Sequence, residues 1–287
     1  LFSWDDFQKK PQDNTVLKKI YQKYNFSSWL KDLNSKIDNS PLSSDNEVKK
    51  ENAFLFVDTK NYELVNTINN LLKWLEVIKK DKFVAVDTET NSLNTMKAEL
   101  VGISLCTKPG RACYIPIKHQ NAPQDQLSLD EVLILIKPIL ENISIKKVGQ
   151  NIKYDAHIFL NYGITINGIT DDTMLMSYVI ESNQNHGMNK LSTKYLNHNC
   201  ISYESLVGKG INQLTFDQVA LEDAVTYAAE DADITLQLYA VMQQILEEEK
   251  SLYNVYNKIE MPAMEALIQI ERNGVLVDPN ILGQQSK

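Results

Sequence analysis

The chain has 287 residues, enough for one large domain or two ordinary ones and for a sizeable buried core. Hydrophobic residues make up 43% of it and charged residues 23%, a composition that is typical of globular proteins and excludes collagen-like and largely disordered chains. No apolar run approaches the ~20 residues of a membrane-spanning helix, so we expect no membrane partner.

The formal net charge is −8, and the acidic excess lies after the first 80 residues. An acidic surface repels a polyanion, which argues against a protein that coats nucleic acid through charge alone. It does not exclude an enzyme that reaches phosphates through bound cations, because concentrated carboxylates are ligands for such cations.

The three cysteines, Cys106, Cys113 and Cys200, are an odd number without metal-ligand spacing. We therefore expect neither a disulfide framework nor a zinc site, and a reducing cytoplasm is the simplest compartment. The chain begins at Leu1 without a charged-then-apolar leader, so we expect no signal peptide. The sequence could be a piece of a longer protein.

The first part of the chain has two kinds of composition. Residues 1–37 show apolar residues at helical spacing and predict one or two short amphipathic helices. Residues 38–52 are polar and Ser-rich and contain Pro41, which is typical of a linker. We place a boundary near residue 52.

After this boundary, short apolar runs alternate with helical periodicity. The runs predict strands at 53–57, 83–87, 100–106, 112–117 and 146–149. The periodic segments predict helices at 64–80, 127–140, 151–162, 173–181, 188–196, 221–249 and 255–272. The three strands from residue 83 to residue 117 can form a meander, and the whole pattern favours an α/β or α+β domain.

Two acids, Asp87 and Glu89, lie at the end of the predicted strand at 83–87 and just beyond it. In an extended chain Asp87 and Glu89 point to the same face, so their carboxylates enter one space. Two like charges at such a short distance repel each other unless protons or cations lie between them. A strand end whose acids face water is the alternative interpretation.

A phenol and a carboxylate share one face of the predicted helix at 221–249. Tyr227 and Asp231 are four residues apart, and their face continues apolar for two further turns, so both should point inward. A buried carboxylate is costly unless it is paired or binds a metal. Glu230 and Asp233 point elsewhere, and we expect them to be solvated. Tyr227 alone could equally be a core residue with a satisfied hydroxyl.

A third acid lies in the first turn of the predicted helix at 151–162. Asp155 at this position can act chemically, or it can simply stabilise the helix dipole. Asn151 can likewise be only an N-cap. Neither residue decides the function alone.

In this order and spacing, D-T-E, N-x-K-Y-D and Y-A-A-E-D resemble the three exonuclease motifs of the DEDD superfamily, in its tyrosine variant. The similarity extends through F-V-A-V-D-T-E-T-N-S-L, V-G-Q-N-I-K-Y-D, D-T-M-L-M-S-Y, G-K-G-x-N-Q-L-T-F and Y-A-A-E-D-A-D-I-T-L-Q-L to bacterial family A DNA polymerases, in their proofreading domain. It covers residues 53–282, and its tail, I-E-M-P through R-N-G-V-L-V-D-P, resembles the start of that family's polymerase domain.

The resemblance implies a ribonuclease-H-like α/β fold, a mixed sheet flanked by helices, that removes nucleotides from a DNA 3′ end. It assigns metal binding to Asp87, Glu89, Asp155 and Asp231 and orientation of the attacking water to Tyr227. Two divalent ions ~3.5–4 Å apart suit a phosphodiester displacement. Four carboxylates without Cys or His favour Mg²⁺ or Mn²⁺.

The resemblance also implies contacts with DNA. Leu93 matches an apolar side chain that wedges against the terminal base, and Asn151 and Tyr154 match substrate contacts. Tyr203 matches an aromatic residue that stacks on a base, which is worth ~1–3 kcal/mol. Asn185 stands where one member of the family has a basic residue, which puts one phosphate contact in doubt.

By the same resemblance, residues 1–52 form a connector after a 5′-nuclease region, residues 53–250 the 3′→5′ exonuclease domain, and residues 251–287 a truncated start of the polymerase domain. We expect a cytoplasmic, nucleoid-associated bacterial monomer that acts on single-stranded or frayed DNA 3′ ends. Two alternatives stay open. One is a stand-alone ribonuclease D-like exonuclease that acts on RNA, and the other is a non-catalytic structural module.

Overall fold

The computed structural model describes residues 12–24, 26, 29–30, 33, 61–122 and 124–286. The chain divides into two compact units, Leu1–Asn52 and Ala53–Lys287. Helix α1, Asn14–Lys23, lies in the first unit, where the spacing of apolar residues predicts a helix. The strand predicted at 53–57 lies outside the described residues.

The second unit is built on a mixed six-stranded sheet. Its strands are β1 (Glu63–Leu64), β2 (Phe83–Thr90), β3 (Leu100–Lys108), β4 (Arg111–Pro116), β5 (Lys146–Gly149) and β6 (Ile169–Asp172). Their order across the sheet is β1-β4-β3-β2-β5-β6. The β2–β3 and β3–β4 pairs are antiparallel, whereas β1–β4, β2–β5 and β5–β6 are parallel. The predicted meander and the mixed sheet are confirmed.

The second unit has helices between its strands and after the last strand. They are α2 (Ile68–Asp81), α3 (Leu129–Leu140), α4 (Ile152–Asn161), α5 (Thr173–Ile180), α6 (Met188–Leu196), α7 (Tyr203–Val207), α8 (Leu221–Glu248), α9 (Lys250–Val255), α10 (Met261–Asn273) and α11 (Pro279–Gln285). A π-helical turn, Tyr256–Glu260, joins α9 to α10, so the helix predicted at 255–272 begins as a π-helix and continues as α10. None of the described helices is both long and apolar enough to cross a bilayer.

Alternation along β2 divides the core between the two faces of the sheet. Val84 and Val86 belong to the cluster that includes the buried residues of α2, α3 and α4. Ala85 points to the opposite face and packs with Ala229 and Ala232 of α8. Small side chains on both sides let the long helix approach the sheet closely, which brings its carboxylates to the end of β2.

Helix α2 begins four residues later than the periodicity predicts. Leu64 pairs with Tyr114 in β1 instead of joining the helix. The hydroxyl of Thr67 accepts a hydrogen bond from the Asn70 amide at 3.3 Å and caps the helix at this point. Such N-caps satisfy amides that lack an intrahelical partner, so Thr67 and not hydrophobicity sets the boundary.

Several elements were not predicted from the sequence, among them β1, β6, α7 and α11. Strand β6 reads Ile-Thr-Asp-Asp and has no apolar alternation. Its last residue, Asp172, accepts hydrogen bonds from the amides of Ile152 and Met174, both at 2.8 Å. One buried carboxylate therefore caps both α4 and α5. Helix α7, another of the unpredicted elements, has only five residues.

Candidate active site

The D-T-E segment lies within β2, which is a central strand of the sheet. Strand β2 continues to Thr90, three residues beyond its predicted end, so Asp87 and Glu89 are part of the strand itself. They follow the period-2 alternation and share one space with Asp231 of α8. Ligand oxygens of these three carboxylates all lie within 4.8 Å of one another.

The long helix α8 supplies the third carboxylate and the phenol. Ala229 and Ala232 face the sheet, whereas Ile234 and Leu238, both fully buried, form a face that packs with Met176 of α5 and Leu191 of α6. Tyr227 and Asp231 occupy the same face one turn earlier and line the same cleft. The helical period that buries the apolar residues therefore also aims both polar groups at the end of β2.

Asp155 reaches the site from the opposite layer. It lies in the first turn of α4, is buried, and accepts a hydrogen bond from Thr88 Oγ1 at 2.5 Å. It is outside the 4.8 Å group that Asp87 forms with Glu89 and Asp231. The structure thus brings all four acids to one end of β2, three in a tight group and one beside it.

Burial and mutual repulsion act on these acids together. Burial raises the pKa of Asp87 to about 6. The pKa of Glu89 lies well above its usual value because the side chain is buried and because Asp87, Asp231 and Asp155 repel its charge. Burial and the charge of Asp87 also raise the pKa values of Asp155 and Asp231. A bound cation would offset both effects and hold the four groups ionised.

The chemistry of the donor set fits hard divalent cations. Only carboxylate oxygens meet in the tight group, and such oxygens are what Mg²⁺ and Mn²⁺ prefer. Among the described residues that line the cleft, none is Lys, Arg or His. No described side chain of this lining would offset the charge of an anionic ligand, whereas a bound cation would.

The phenol of Tyr227 stays protonated at neutral pH. Burial and the neighbouring carboxylate of Asp231 both raise its pKa far above the usual value. A neutral phenol keeps an O–H that can donate and lone pairs that can accept. Tyr227 is therefore suited to orient a polar molecule next to the acids.

Asp87, Glu89 and Asp231 line an open cleft of about 790 Å³. Leu93, Tyr154 and Tyr203 line its walls. The side chain of Leu93 is 93% exposed and projects from the loop between β2 and β3. Exposed apolar and aromatic groups around an acidic floor provide surfaces on which a planar ring can pack.

An aromatic cluster links one wall of the cleft to the phenol. Tyr203 stacks on buried Phe216, with ring centroids 6.4 Å apart and planes at 10°. The ring of Phe216 also contacts Tyr227 at 5.9 Å. Phe216 therefore fixes the relative position of the two tyrosines. Tyrosine at 203 keeps one face of its ring available to the cleft.

Two residues from the sequence prediction lie elsewhere. Asn151 precedes α4 with φ of 60°, and its side chain makes no capping hydrogen bond. It lines a smaller cavity of about 90 Å³ with Met264 and Leu267, and not the cleft. Asn185 accepts a hydrogen bond from the Gly187 amide at 2.8 Å in an exposed loop.

The prediction that Glu230 and Asp233 are solvated is wrong. Both side chains are buried, at 2% and 0% exposure. Asp233 accepts hydrogen bonds from Tyr62 Oη at 2.9 Å and from the Gly110 amide at 2.8 Å. Helix α8 is enclosed on more than one side, so a face that points away from the acids still meets protein.

Glu230 belongs to a second polar group, with His198 and Cys200, whose ligand atoms also lie within 4.8 Å of one another. Its Oε1 pairs with His198 Nε2 at 2.9 Å, and its Oε2 accepts from the Ile201 amide at 2.7 Å. Protein donors thus occupy both oxygens. The group fastens the segment that leads into α7 and Tyr203.

The other wall of the cleft was not assigned from the sequence. Gln213, Leu214 and Thr215 line it, in the turn that follows Gly208 and Gly210. Both glycines have φ near +75°, a conformation that glycine adopts without strain. The G-K-G pattern was the available signal for a tight turn at this position.

A family model described as a 3′-5′ exonuclease of the DNA polymerase A type matches residues 62–247. This range contains β1 to β6 and nearly all of α8, and with them every acid of the cleft.

DNA polymerase I of Pseudomonas aeruginosa is 40% identical to the chain over 282 residues, which are 97% of the chain and 30% of that relative. The chain thus spans about 30% of the length of this curated relative. Two solved structures share the fold. The POL domain of Pol1 from M. smegmatis, in complex with a DNA primer-template and dNTP, has a TM-score of 0.61 and 19% identity over 77% of this chain and 34% of that one. Escherichia coli RNase D has a TM-score of 0.53 and 21% identity over 75% and 52%.

Proposed function

Since this chain belongs to the 3′-5′ exonuclease family of DNA polymerase I, we propose that it hydrolyses DNA stepwise from the 3′ end and releases nucleoside monophosphates. The ends it takes are single-stranded or frayed, as in proofreading. In each step the oxygen of water bonds to phosphorus, the P–O3′ bond breaks, and a proton passes to the leaving 3′ oxygen.

The observation that carries this proposal is the convergence of Asp87, Glu89 and Asp231 in a cleft whose described lining holds no basic side chain, with the buried Asp155 held beside them by Thr88. A phosphodiester is already anionic, and four carboxylates would repel it. Two dications balance four carboxylates and leave the site neutral before the phosphate enters. The acidic charge of the chain is therefore compatible with a nucleic-acid substrate.

In this proposal Asp87, Glu89, Asp155 and Asp231 hold two Mg²⁺ ions, which Mn²⁺ can replace. Bound there, divalent ions lower the pKa of water and stabilise negative charge on the phosphate oxygens. The protein supplies fixed ligand positions, because Asp87 and Glu89 lie in a central strand and Asp231 in a helix packed against it. Thr88 holds Asp155 in place from the adjacent strand position.

Tyr227 orients the attacking water through its neutral phenol. Leu93 and Tyr203 hold the bases near the 3′ end, by wedging and by stacking, and Tyr154 lines the path between them. Asn151 was also predicted to contact the substrate. It is not among the described residues that line the cleft, so the structure does not support that contact. Asn185 has no positive charge to offer a phosphate, so in this proposal the bound cations alone offset the charge of the phosphates.

The relatives also support a proposal on the whole protein. Because their chains are more than three times as long as the matched segment, we place residues 1–52 as a connector after a 5′-nuclease region and residues 251–287 at the start of a polymerase domain. The exonuclease domain then spans 53–250 of a monomeric, nucleoid-associated bacterial polymerase. Its partners are these covalently linked domains and the DNA end.

Matched oligonucleotides test this proposal. Single-stranded DNA and RNA of the same sequence, labelled at either end, are incubated with the chain and Mg²⁺. We expect a 3′ label to leave DNA at once as a mononucleotide, and a 5′ label to mark a ladder that shortens with time. Faster degradation of RNA would favour the ribonuclease D-like alternative. Intact DNA under all conditions would favour the structural module.

A further inference from the structure

The Leu93 loop, residues 91–99, forms one rim of the cleft and connects β2 to β3. Asn91 and Glu99 close its base, where the Glu99 amide donates to Asn91 Oδ1 at 3.0 Å and Asn91 Nδ2 donates to Glu99 Oε2 at 3.0 Å. Leu93 at its tip is almost fully exposed, so its own packing does not hold it in place. The position of Leu93 must therefore be set by contacts elsewhere in the loop.

Two residues of α4 provide such contacts. Tyr154 Oη donates to the carbonyl of Ser92 at 2.7 Å, directly before Leu93. Asn161 Nδ2 donates to the carbonyl of Thr95 at 2.8 Å, two residues after Leu93. The loop is thus fastened to both ends of one helix, and that helix also carries Asp155.

The outer contact comes from α10. Arg272 Nη1 donates to Asn161 Oδ1 at 2.7 Å and lies 3.3 Å from Met96 Sδ, so it meets the loop both directly and through Asn161. Its neighbour Glu271 accepts from His157 Nε2 at 2.8 Å and pairs with Lys153, both on α4. Adjacent residues of α10 thus hold α4 along its length.

We propose that Arg272 is a positioning residue of the 3′-end site. It orients the Asn161 amide towards the Thr95 carbonyl. This contact holds the Leu93 loop in the position in which Leu93 contacts the terminal base. This inference rests on the proposed function. Arg272 lies beyond residues 62–247, the range that the family model matches, so the segment after the exonuclease domain contributes to the rim of its cleft.

Kinetics of single-stranded DNA hydrolysis test the proposal. Arg272→Gln removes the charged donor, and Asn161→Asp keeps the acceptor for Arg272 but removes the amide that holds Thr95. We expect each to raise KM for a single-stranded DNA oligonucleotide about fivefold and to change kcat less than twofold, because the acids are untouched. Arg272→Lys should restore part of the loss. An unchanged KM in both variants would overturn the proposal.

A double-mutant cycle separates positioning from an independent effect. If Arg272 acts through the Leu93 loop, Leu93→Ala and Arg272→Gln together should raise KM no more than Leu93→Ala alone. Multiplied effects would overturn the proposal. Lys258→Gln is the matched control, since the Lys258 side chain is exposed in the same C-terminal segment and makes no hydrogen bond or ion pair with any described residue. It should leave KM unchanged.

Hydrogen exchange tests the same contact without activity. The amides of Lys97 and Ala98 donate to the carbonyl of Asn94 inside the loop, at 2.9 and 2.8 Å. Arg272→Gln and Asn161→Asp should speed their exchange severalfold, while Lys258→Gln should not. Equal exchange rates in all proteins would overturn the proposal. A wild-type chain that does not hydrolyse DNA would overturn the proposed function, and exchange would still decide on Arg272.

Discussion

Thr88 donates a hydrogen bond of 2.5 Å to the buried carboxylate of Asp155, which lies 67 positions later in the chain. Thr88 stands between Asp87 and Glu89 but points to the opposite side of β2, as strand alternation requires. The segment D-T-E therefore supplies two carboxylates, those of Asp87 and Glu89, and holds a third, that of Asp155, through the Thr88 hydroxyl. The middle residue of D-T-E has its own structural task.

Replacing Thr88 tests this relationship. Thr88→Val keeps the shape but leaves the carboxylate of Asp155 without its donor. We expect a loss of about 1–3 kcal/mol in the free energy of unfolding and a roughly tenfold loss of kcat. Thr88→Ser keeps the hydroxyl and should stay close to wild type. Equal kcat values for the valine and serine variants would remove the hydrogen bond from the account.

Replacing Tyr227 separates the phenol from the metal ligands. Tyr227→Phe removes one oxygen and preserves the ring that packs on Phe216. We expect kcat to fall tenfold or more because the water loses its orienting group, whereas calorimetric titration with Mg²⁺ should give an affinity close to wild type. Wild-type turnover in this variant would exclude the phenol from the reaction.

The stability of the metal-free protein should depend on pH through the clustered acids. Burial raises the pKa of Asp87 to about 6, so the folded state binds this proton more tightly than the unfolded state. The resulting stabilisation is complete below the ordinary pKa of an aspartate and is lost as the pH rises through about 6.

In a chelator at pH 8, Asp87→Asn should therefore be more stable than wild type by about 1–3 kcal/mol, and the difference should shrink towards pH 4. Saturating Mg²⁺ should reverse the order, because the wild-type carboxylate gains its cation. Glu248→Gln, on the exposed end of α8, is the control for removal of an acid. Parallel pH curves for wild type and Asp87→Asn would contradict the expected pKa.

Glu230 should matter for stability, although it does not belong to the acidic group. Glu230→Ala leaves the Ile201 amide and His198 without their acceptor, and we expect a loss of about 1–3 kcal/mol in the free energy of unfolding. Glu248→Ala should change it by no more than about 0.5 kcal/mol. Chemical denaturation measures both. Equal stability of the two variants would mean that water replaces the carboxylate at no cost.

Local periodicity predicted the parts of the site that one element determines. Asp87 and Glu89 share a face because a strand repeats every two residues, and Tyr227 and Asp231 share one because a helix repeats every 3.6. The confirmed sheet and the inward face of α8 follow from the same patterns. These parts depend on distances of a few residues along the chain.

Contacts between distant segments account for what the sequence did not predict. Asp233 is buried because Tyr62 and Gly110 reach it from elsewhere in the fold, and no pattern within α8 contains that information. Strand β6 lacks apolar alternation because its buried Asp172 caps two helices. Arg272 contacts the Leu93 loop because α10 packs on α4, and no local pattern in the sequence contains that contact.

The central claim is that clustered carboxylates hold the cations that hydrolyse a DNA 3′ end. Its most direct test is Mg²⁺-dependent release of the 3′-terminal nucleotide from labelled single-stranded DNA by wild type and by Asp231→Ala, with circular dichroism to verify the fold. We predict mononucleotide release by wild type, its loss in a chelator, and a fall of at least about a thousandfold in the variant with an unchanged spectrum. Undiminished release by a folded Asp231→Ala variant would contradict the account.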